Sequence, residues 1–537
     1  MAEIKKEKNE KRDMFWADQI ARAAAATGKP QVVEDEKTPS GRVHVGALRG
    51  VIIHDIIHRA LLDAGVKSVY YYGVDDFDPM DSLPIYLDKK KYAEFMGKPL
   101  CVVPAPDDGA SGAKNYADYY FREFQEVFER LGAKPKIYWG SDYYKRGKYD
   151  EAIKLTLENA AKIREIYERV SGGAKDADWF PLSVVCEQCG RIGTTKVTSY
   201  DPETQTVEYK CLANYVSWAK GCGYEGRVSP FGGRAKLPWK VEWPAKFFIL
   251  GVTIEGAGKD HSTTGGSRDV AEAIYREVYK REPPVNVPYE FFLIGGKKMS
   301  SSKGLGVSAS EVAALLPPEL LRFLMTKYKP ASAIDFDPSG ETIPRLFDQF
   351  DEAAAVYFKE KEARDPDVPR IYALSHLIET KKMFRPQFSF VAAVSQIPGA
   401  DAETVFAKQK GSALTSDEKK LLAERAGYAR VWLEKLAPEE AKLRILTREE
   451  AVKRFHSLDL NAKAALADFG EFFALHDDAD AQAEEIKRLC AAHGIKIQEF
   501  FAAAYGVFIG RERGPKLLPL LNALERGFAA ARLKNVG

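Results

Sequence analysis

The stretch Gln31-Val32-Val33-Glu34-Asp35-Glu36, followed by Thr38-Pro39-Ser40-Gly41-Arg42-Val43-His44-Val45-Gly46, decides how this chain is read. Gln31 to Glu36 passes as a short strand, and Thr38-Pro39-Ser40-Gly41 reads as a turn. A helix follows, with Leu48, Ile52, Ile53, Ile56, Ile57 and Leu61 at helical spacing and Gly65 as its natural C-terminal cap. Val66 to Val74 (VKSVYYYGV) is β-branched and aromatic, hence a second strand. Strand, loop, helix, strand makes one βαβ unit, so the expected class is α/β with a doubly wound parallel sheet.

Outward from that unit, Met14 to Thr27 is an alanine-rich leader helix that stops at Gly28-Lys29-Pro30. Downstream, Pro104 to Ala113 is a Pro/Gly/Asp loop, Asn115 to Gly132 and Tyr149 to Val170 read as helices, and Cys186 to Gly226 is a Gly/Cys-rich module. This block is expected to interrupt the sheet. Lys236 to Ser267 reads as strand and loop text, so the α/β fold is expected to resume there after an insertion. Glu311 to Lys327 is helical with an early break at Pro317-Pro318, Asp335 to Pro344 is a polar linker, and Arg345 to Glu362 is helical again. From about Ala373 only alanine- and leucine-rich helical patterns remain, which predicts an all-α C-terminal domain.

The bulk numbers exclude several classes of protein. A chain of 537 residues has room for three to four domains of the usual size. With 45% hydrophobic and 29% charged residues it has neither a disordered, a collagenous nor a coiled-coil composition. Lys plus Arg (79) against Asp plus Glu (77) leaves +2, so any nucleic-acid surface must be local. No apolar run approaches a membrane span, and Met1 to Asp13 alternates Lys and Glu, unlike a secretory signal. A cytoplasmic protein without a membrane partner is the expectation, and a monomer.

Two constellations carry chemistry. In the first, His44 and Gly46 stand directly before the helix of the βαβ unit. The unpaired amides and positive dipole end of that helix, a glycine that lets a nucleotide approach, and an imidazole able to donate to phosphate oxygens suit ATP. The bland alternative is a glycine turn with a capping histidine. The second is Gly295-Gly296-Lys297-Lys298-Met299-Ser300-Ser301-Ser302-Lys303-Gly304, whose cations and hydroxyls can neutralise charge as an α-phosphate becomes pentacoordinate and pyrophosphate leaves. A solvated basic loop is its bland reading, but the pairing of the two argues adenylate chemistry.

On these residues the chain resembles the class I aminoacyl-tRNA synthetases, whose HIGH and KMSKS signatures correspond to His44-Val45-Gly46-Ala47 and Lys298-Met299-Ser300-Ser301-Ser302. Within that family it looks most like the lysyl branch, through Thr38-Pro39-Ser40-Gly41, Gly97-Lys98-Pro99-Leu100, Gly258-Lys259-Asp260-His261 followed by Gly265-Gly266-Ser267, and Ile334-Asp335-Phe336-Asp337-Pro338. The resemblance covers Gln31 to Pro338 well and the C-terminal helices in character. Two positions, Ala47 and Glu36, depart from the lysyl pattern, and a third, Ser301, differs from KMSKS as the branch does. Ala47 replaces the last residue of HIGH, Ser301 stands for the second lysine of KMSKS as in this branch generally, and Glu36 stands where the lysyl branch usually has glycine.

The resemblance implies ATP-dependent activation of L-lysine to lysyl-adenylate and transfer to the terminal adenosine of tRNA(Lys), with Mg²⁺ on the phosphates. It implies a Rossmann-type catalytic domain whose first half, with the leader helix, spans 1–105 and whose second half spans 236–297. A connective insertion would occupy 106–235, with the zinc module at 186–226, a loop and stem-contact region 298–370, and a helical anticodon-binding domain 371–537. Catalytic roles fall on His44, Lys298, Ser300, Ser301, Ser302 and Lys303. ATP contacts fall on Ser40, Gly41, His44, Gly46, Gly258, Asp260, Lys298 and Met299, since a glycine and a carboxylate after a strand can hold ribose hydroxyls. Lysine needs a carboxylate for its ammonium and flat walls for its methylenes. Asp76 or Asp78 is the candidate carboxylate, Trp239, Trp243 or Tyr289 the walls, Thr38 the partner of the α-amino group, and His261 a further contact. Rival readings are a class I synthetase for another amino acid and a non-catalytic tRNA-binding paralogue.

Four of the six cysteines form C-x2-C-x21-C-x10-C at Cys186, Cys189, Cys211 and Cys222. Glycines after Cys189 and Cys222 permit knuckle turns, so structural Zn²⁺ held by all four thiolates leads, against four unligated thiols in a degenerate knuckle. In the C-terminal region Phe469, Phe472, Phe473, Phe500, Phe501, Tyr505 and Phe508, with the basic loop Arg511 to Lys516, are candidates to stack bases, though most such aromatics at helical spacing belong to a core.

Overall fold

The computed structural model describes residues 14–296, 307–377, 381–397 and 399–535. It divides into two compact units, Met1–Asp337 with Glu362–Ile378, and Pro338–Lys361 with Glu379–Gly537.

In the first unit the leader helix α1 (Trp16–Ala25) precedes β1 (Gln31–Lys37), α2 (Val45–Asp63) and β2 (Ser68–Val74), which form the expected βαβ unit. Gly65 takes a left-handed backbone (φ 75°) just past α2 and its amide closes the last turn on Leu62. α2 packs against the sheet, α1 and the helix Pro318–Thr326. Its Leu48, Val51, Ile52 and Ile57 are fully buried, each contributing about 1.5–3 kcal/mol of apolar burial. Being covered on nearly all sides, α2 buries even its polar residues Arg49, His54 and Asp55.

The main sheet is all parallel and also includes β3 (Lys136–Trp139), β4 (Ile254–Glu255) and β5 (Val285–Asn286), in the order β5-β4-β1-β2-β3. β1 and β2 pair along all of β1, from Gln31↔Ser68 to Lys37↔Val74. On its other side β1 pairs with β4 at Val33↔Ile254 and Glu34↔Glu255. The chain runs outward one way from β1 to β2 and β3, and later returns to the opposite flank as β4 and β5. The switch point therefore lies between β1 and β4.

Two expectations need correction. The sheet is not interrupted after β2, because Lys-Ile-Tyr-Trp at 136–139 extends it as β3; four residues after a Lys-Pro step give too short a signal to register. The segment after Lys236 is not strand and loop text throughout, because Trp239–Leu250 is a helix, here α3. Its run of Trp, Phe and Ile has no polar face, and it carries Pro244 inside, so neither period nor composition declares it helical. The expected helix Tyr149 to Val170 is two helices, Asp150–Glu158 and Ala160–Ser171, meeting at Asn159. The second unit is all helical among its described residues, from Thr342–Tyr357 to Arg526–Leu533. No helix among the described residues is long and apolar enough to cross a membrane.

Candidate active site

The end of β1 feeds directly into a cavity of about 1160 Å³ that opens at the switch point, where a parallel sheet leaves a crevice beyond its strand ends. The turn after β1, the start of α2 and the run-on from β4 bring Thr38, Ser40, His44, Gly46, Gly258, Asp260 and His261 to its wall. Gly41 is buried in the turn and is not on the cavity surface. Ala47, at the position of the departed motif residue, lines the cavity as well.

Lys298, Met299, Ser300, Ser301, Ser302 and Lys303 lie outside the described residues, but both ends of their segment are fixed. On the C-terminal side, His44 forms a bridge with Ser308, Val45 N–H donates to Val307 O (3.3 Å) and Ala309 N–H donates to Val43 O (2.9 Å). On the N-terminal side, Gly296 N–H donates to Asp335 Oδ1 (2.9 Å). The buried Arg49 guanidinium of α2 donates to Phe291 O (3.0 Å), Lys329 O (3.1 Å), Pro330 O (3.2 Å) and Ser332 O (2.6 Å). The helix that begins at the His44 motif thus holds the roots of the basic segment through backbone bonds and one arginine.

A cluster of largely buried ions forms part of the cavity wall, with Glu36, Asp75, Asp78 and Lys236 among its lining residues. Lys246 of α3, 1% exposed, contacts Glu36 and both oxygens of Asp75 (2.9 Å each). Lys236 contacts Glu242 and Asp78 (2.9 Å). Burial would lower both ammonium groups, but the surrounding carboxylates outweigh it and hold them above the usual lysine range. The outer carboxylates are Glu36 and Asp78, with side chains 14% and 20% exposed, and both line the cavity. Burial alone would raise Asp78, yet the Lys236 charge and the Thr38 hydroxyl, which donates to Oδ2 (2.7 Å), leave it below the usual aspartate value. Burial and then the Asp75 charge push Glu36 well up.

Helix α3 also supplies an aromatic wall of the cavity. The Trp239 and Trp243 rings stack at 5.5 Å, and His261 meets them edge-on at 5.0 and 6.0 Å. The Trp243 indole N–H donates to Glu255 Oε1 (2.7 Å), and Glu255 pairs with buried Arg268, so the ring is held in one orientation. Tyr289 also lines the cavity.

Asp76 is not on that wall. Its carboxylate accepts from Ser141 N–H (2.8 Å) and Ser141 Oγ (2.6 Å), just after β3. Burial raises it to about 6 against those bonds. Thr38 and Asp78 are bonded to each other, so they form one acceptor and not two separated ones. Sequence reading overlooked Lys236, Glu242, Lys246, Asp75, Glu255 and Arg268. The i, i+4 pair Glu242 and Lys246 would have been visible had the helix been read there.

The four predicted cysteines converge. Their sulfurs all lie within 4.8 Å of one another, with Cys186–Cys222 at 3.6 Å and Cys189–Cys211 at 3.7 Å. A tetrahedron of Zn–S bonds of about 2.3 Å has edges of about 3.8 Å, so the thiols fit a four-sulfur metal site. Cys222 N–H points at Cys211 Sγ (3.3 Å), and Gly190 and Gly223 take left-handed conformations (φ 70° and 82°) after their cysteines. Among the described residues this is the one His/Cys/Asp/Glu group disposed to hold a metal ion.

A parallel sheet with a ligand crevice at its switch point, an HxG turn at a helix start and a tethered basic segment define the architecture of a class I synthetase. The model of the family described as tRNA synthetases class I (K) matches residues 14–378, and the chain belongs to that family. It is 34% identical over 540 residues to a protein named lysine-tRNA ligase in Methanosarcina barkeri, with 97% of each chain covered. Proteins of the same name in Thermoplasma acidophilum and Methanocaldococcus jannaschii are each 34% identical, over 527 and 544 residues, covering 97% of this chain and 99% of theirs.

Proposed function

We propose that the chain is a lysine-tRNA ligase that activates L-lysine with ATP and transfers the lysyl group to the terminal adenosine of its tRNA. The observation that carries the choice of lysine is that two partly exposed carboxylates, Glu36 and Asp78, line the same cavity as the indoles of Trp239 and Trp243. Glu36 and Thr38 are two residues apart along β1 and its exit and both line the cavity, so both can reach one bound molecule. One ammonium would sit on the Thr38–Asp78 pair and the other on Glu36, with the methylenes against Trp239 and Trp243. A substrate cation beside Glu36 would draw its raised carboxyl back to the ionised form.

ATP would lie with its phosphates at the start of α2, where Ser40, Gly46 and His44 offer donors and the helix dipole favours negative charge. Gly258 and Asp260 are suited to the ribose hydroxyls. Lysine's carboxylate attacks the α-phosphorus, the bond to the bridging oxygen breaks, and pyrophosphate leaves. His44 and Lys298, helped by Ser300, Ser301, Ser302 and Lys303, would stabilise the charge that builds on the transferring group. Mg²⁺ would enter with the nucleotide and screen its phosphates. Catalysis by positioning and charge requires no side-chain nucleophile. Cys186, Cys189, Cys211 and Cys222 would hold a structural Zn²⁺ that orders the insertion, and the helical C-terminal unit would bind the anticodon.

The test is amino-acid-dependent exchange of pyrophosphate into ATP with all twenty amino acids, with and without total tRNA. Exchange with lysine is expected. Exchange with a different amino acid would move the specificity within the class, and silence in both conditions would favour a non-catalytic tRNA binder.

A further inference from the structure

His54 lies in α2, ten residues after the His44 motif, and is completely buried. Its two ring nitrogens have different partners. Nδ1 is 2.7 Å from Gly50 O and 3.6 Å from Asp35 Oδ2, both acceptors, so Nδ1 carries the proton. Nε2 is 2.7 Å from the amide nitrogen of Gly256, which can only donate, so Nε2 is the lone-pair end. The ring is fixed as one neutral tautomer, and it stacks on Tyr70 (6.0 Å, 18°).

Gly256 follows β4 at the point where β1 and β4 part. The paired residues end at Glu34↔Glu255, while on the opposite edge the chain stays in register, with Val287 N–H on Glu255 O (3.1 Å) and Tyr289 N–H on Ala257 O (3.0 Å). The Gly256 amide thus faces the side from which β1 has departed, and His54 supplies the acceptor there. No side chain fits at 256: a Cβ there would stand 2.8 Å from Val287 O and 3.2 Å from the His54 ring.

We infer that His54 is a positioning residue for the nucleotide side of the cavity. Its imidazole substitutes for the missing strand partner at the switch point, holding Gly256 so that the following Ala257-Gly258-Lys259-Asp260 segment is aimed into the crevice while the crevice stays open. The inference rests on the reading of Gly258 and Asp260 as ATP contacts and extends it to a residue that touches no substrate.

The experiment compares His54→Gln, whose side chain can still place an acceptor near the Nε2 position, with His54→Asn, which can reach only the Gly50 end. In the full chain, pyrophosphate exchange gives KM for ATP and for lysine, and hydrogen exchange by mass spectrometry reads the peptide containing Gly256. The Asn variant is expected to raise KM for ATP tenfold or more and to deprotect that peptide, with KM for lysine changed less than threefold. The Gln variant is expected to stay within threefold of the parent in both readouts. Equal behaviour of the two variants, or unchanged protection at Gly256 in the Asn variant, overturns the inference. Asp260→Asn is the control for the underlying reading: if KM for ATP does not rise there, the ribose assignment fails, and protection at Gly256 alone then decides the role of His54. If the Asn variant does not fold, the tautomer in the parent decides, since ¹⁵N spectra showing the proton on Nε2 would exclude the bond to Gly256.

Discussion

Replacing Asp78 by Asn removes a charge from the cavity wall while leaving the shape of the side chain almost unchanged. In the parent its carboxylate accepts from Thr38 Oγ1 (2.7 Å) and faces Lys236 Nζ (2.9 Å). A hydrogen bond between a charged pair is worth about 1.5–3 kcal/mol net, below the roughly 4 kcal/mol that Coulomb's law gives at 4 Å with an effective dielectric of 20. The side chain is partly open to solvent, so the net range is the appropriate one. At about 1.4 kcal/mol per factor of ten, KM for lysine should rise about ten- to hundredfold. KM for ATP should change less than threefold. Lys236 keeps Glu242, so the buried pair is weakened and not broken, and the loss of stability should stay near 1–2 kcal/mol, below the cost of a fully orphaned buried charge. Because the folded-state value of Asp78 is depressed, its contribution to stability is present above the ordinary aspartate range and is lost as pH falls through the folded value. The stability gap between parent and variant should therefore close in acid. The assay is pyrophosphate exchange at varied lysine and fixed saturating ATP. A KM for lysine within twofold of the parent would refute the assignment of Asp78 to the substrate ammonium.

Lys298→Ala should lower kcat for exchange by about a hundred- to a thousandfold with little change in KM for lysine, the usual loss when one charge-stabilising donor is removed; a drop below fivefold would move the work to Lys297 or Lys303. Purified protein should carry about one equivalent of zinc by metal analysis, and Cys211→Ser should carry little, because Cys211 is fully buried and its sulfur is one of the four that converge. Burial raises Asp35 to about 7, so the folded chain keeps a proton there that the unfolded chain has already lost. This contribution favours folding at acid pH and is lost as pH rises from about 4 to about 7, a swing of up to about 4 kcal/mol. Asp35→Asn should flatten that slope in urea unfolding followed by tryptophan fluorescence, which reports mostly on the first unit because every tryptophan except Trp432 lies there.

The βαβ unit was legible because its signals are local: a turn, an apolar helix closed by Gly65, and an aromatic strand. The outer strand β3 was not, since four residues cannot display a period, and neither was α3, whose lack of a polar face hides the helix. The cavity lining followed the same division. Thr38, His44, Gly258, Asp260 and His261 could be named because they sit in motifs. The ion cluster could not, because Glu36, Asp75, Lys236 and Lys246 come from four separate elements, and only burial tells a structural lysine from a solvated one. Of the two candidate carboxylates Asp76 and Asp78 only Asp78 lines the cavity, together with Asp75, and sequence alone does not reveal which residues of a tight turn point which way. In the C-terminal unit the expectation that most aromatics are core agrees with burial of Phe469, Phe473, Phe500, Tyr505 and Phe508, leaving Phe472 and Phe501 half-buried.

The footing of the basic segment has a consequence for how its length can change. Between Gly296 and Val307 the chain carries ten residues, and both flanks are pinned, one by Arg49 and Asp335, the other by bonds to Val43 and Val45. The entropic cost of joining two fixed ends rises only slowly with the number of residues between them, by about 0.6 kcal/mol for each doubling. An insertion or deletion of one or two residues there would barely register in a melting curve. On the role proposed for Lys298 and Lys303, it would, however, displace their charges from the phosphates they are to meet. On that reading, selection on the length of this segment is exercised through turnover, and a screen for folded variants would pass those that a screen for charged tRNA discards.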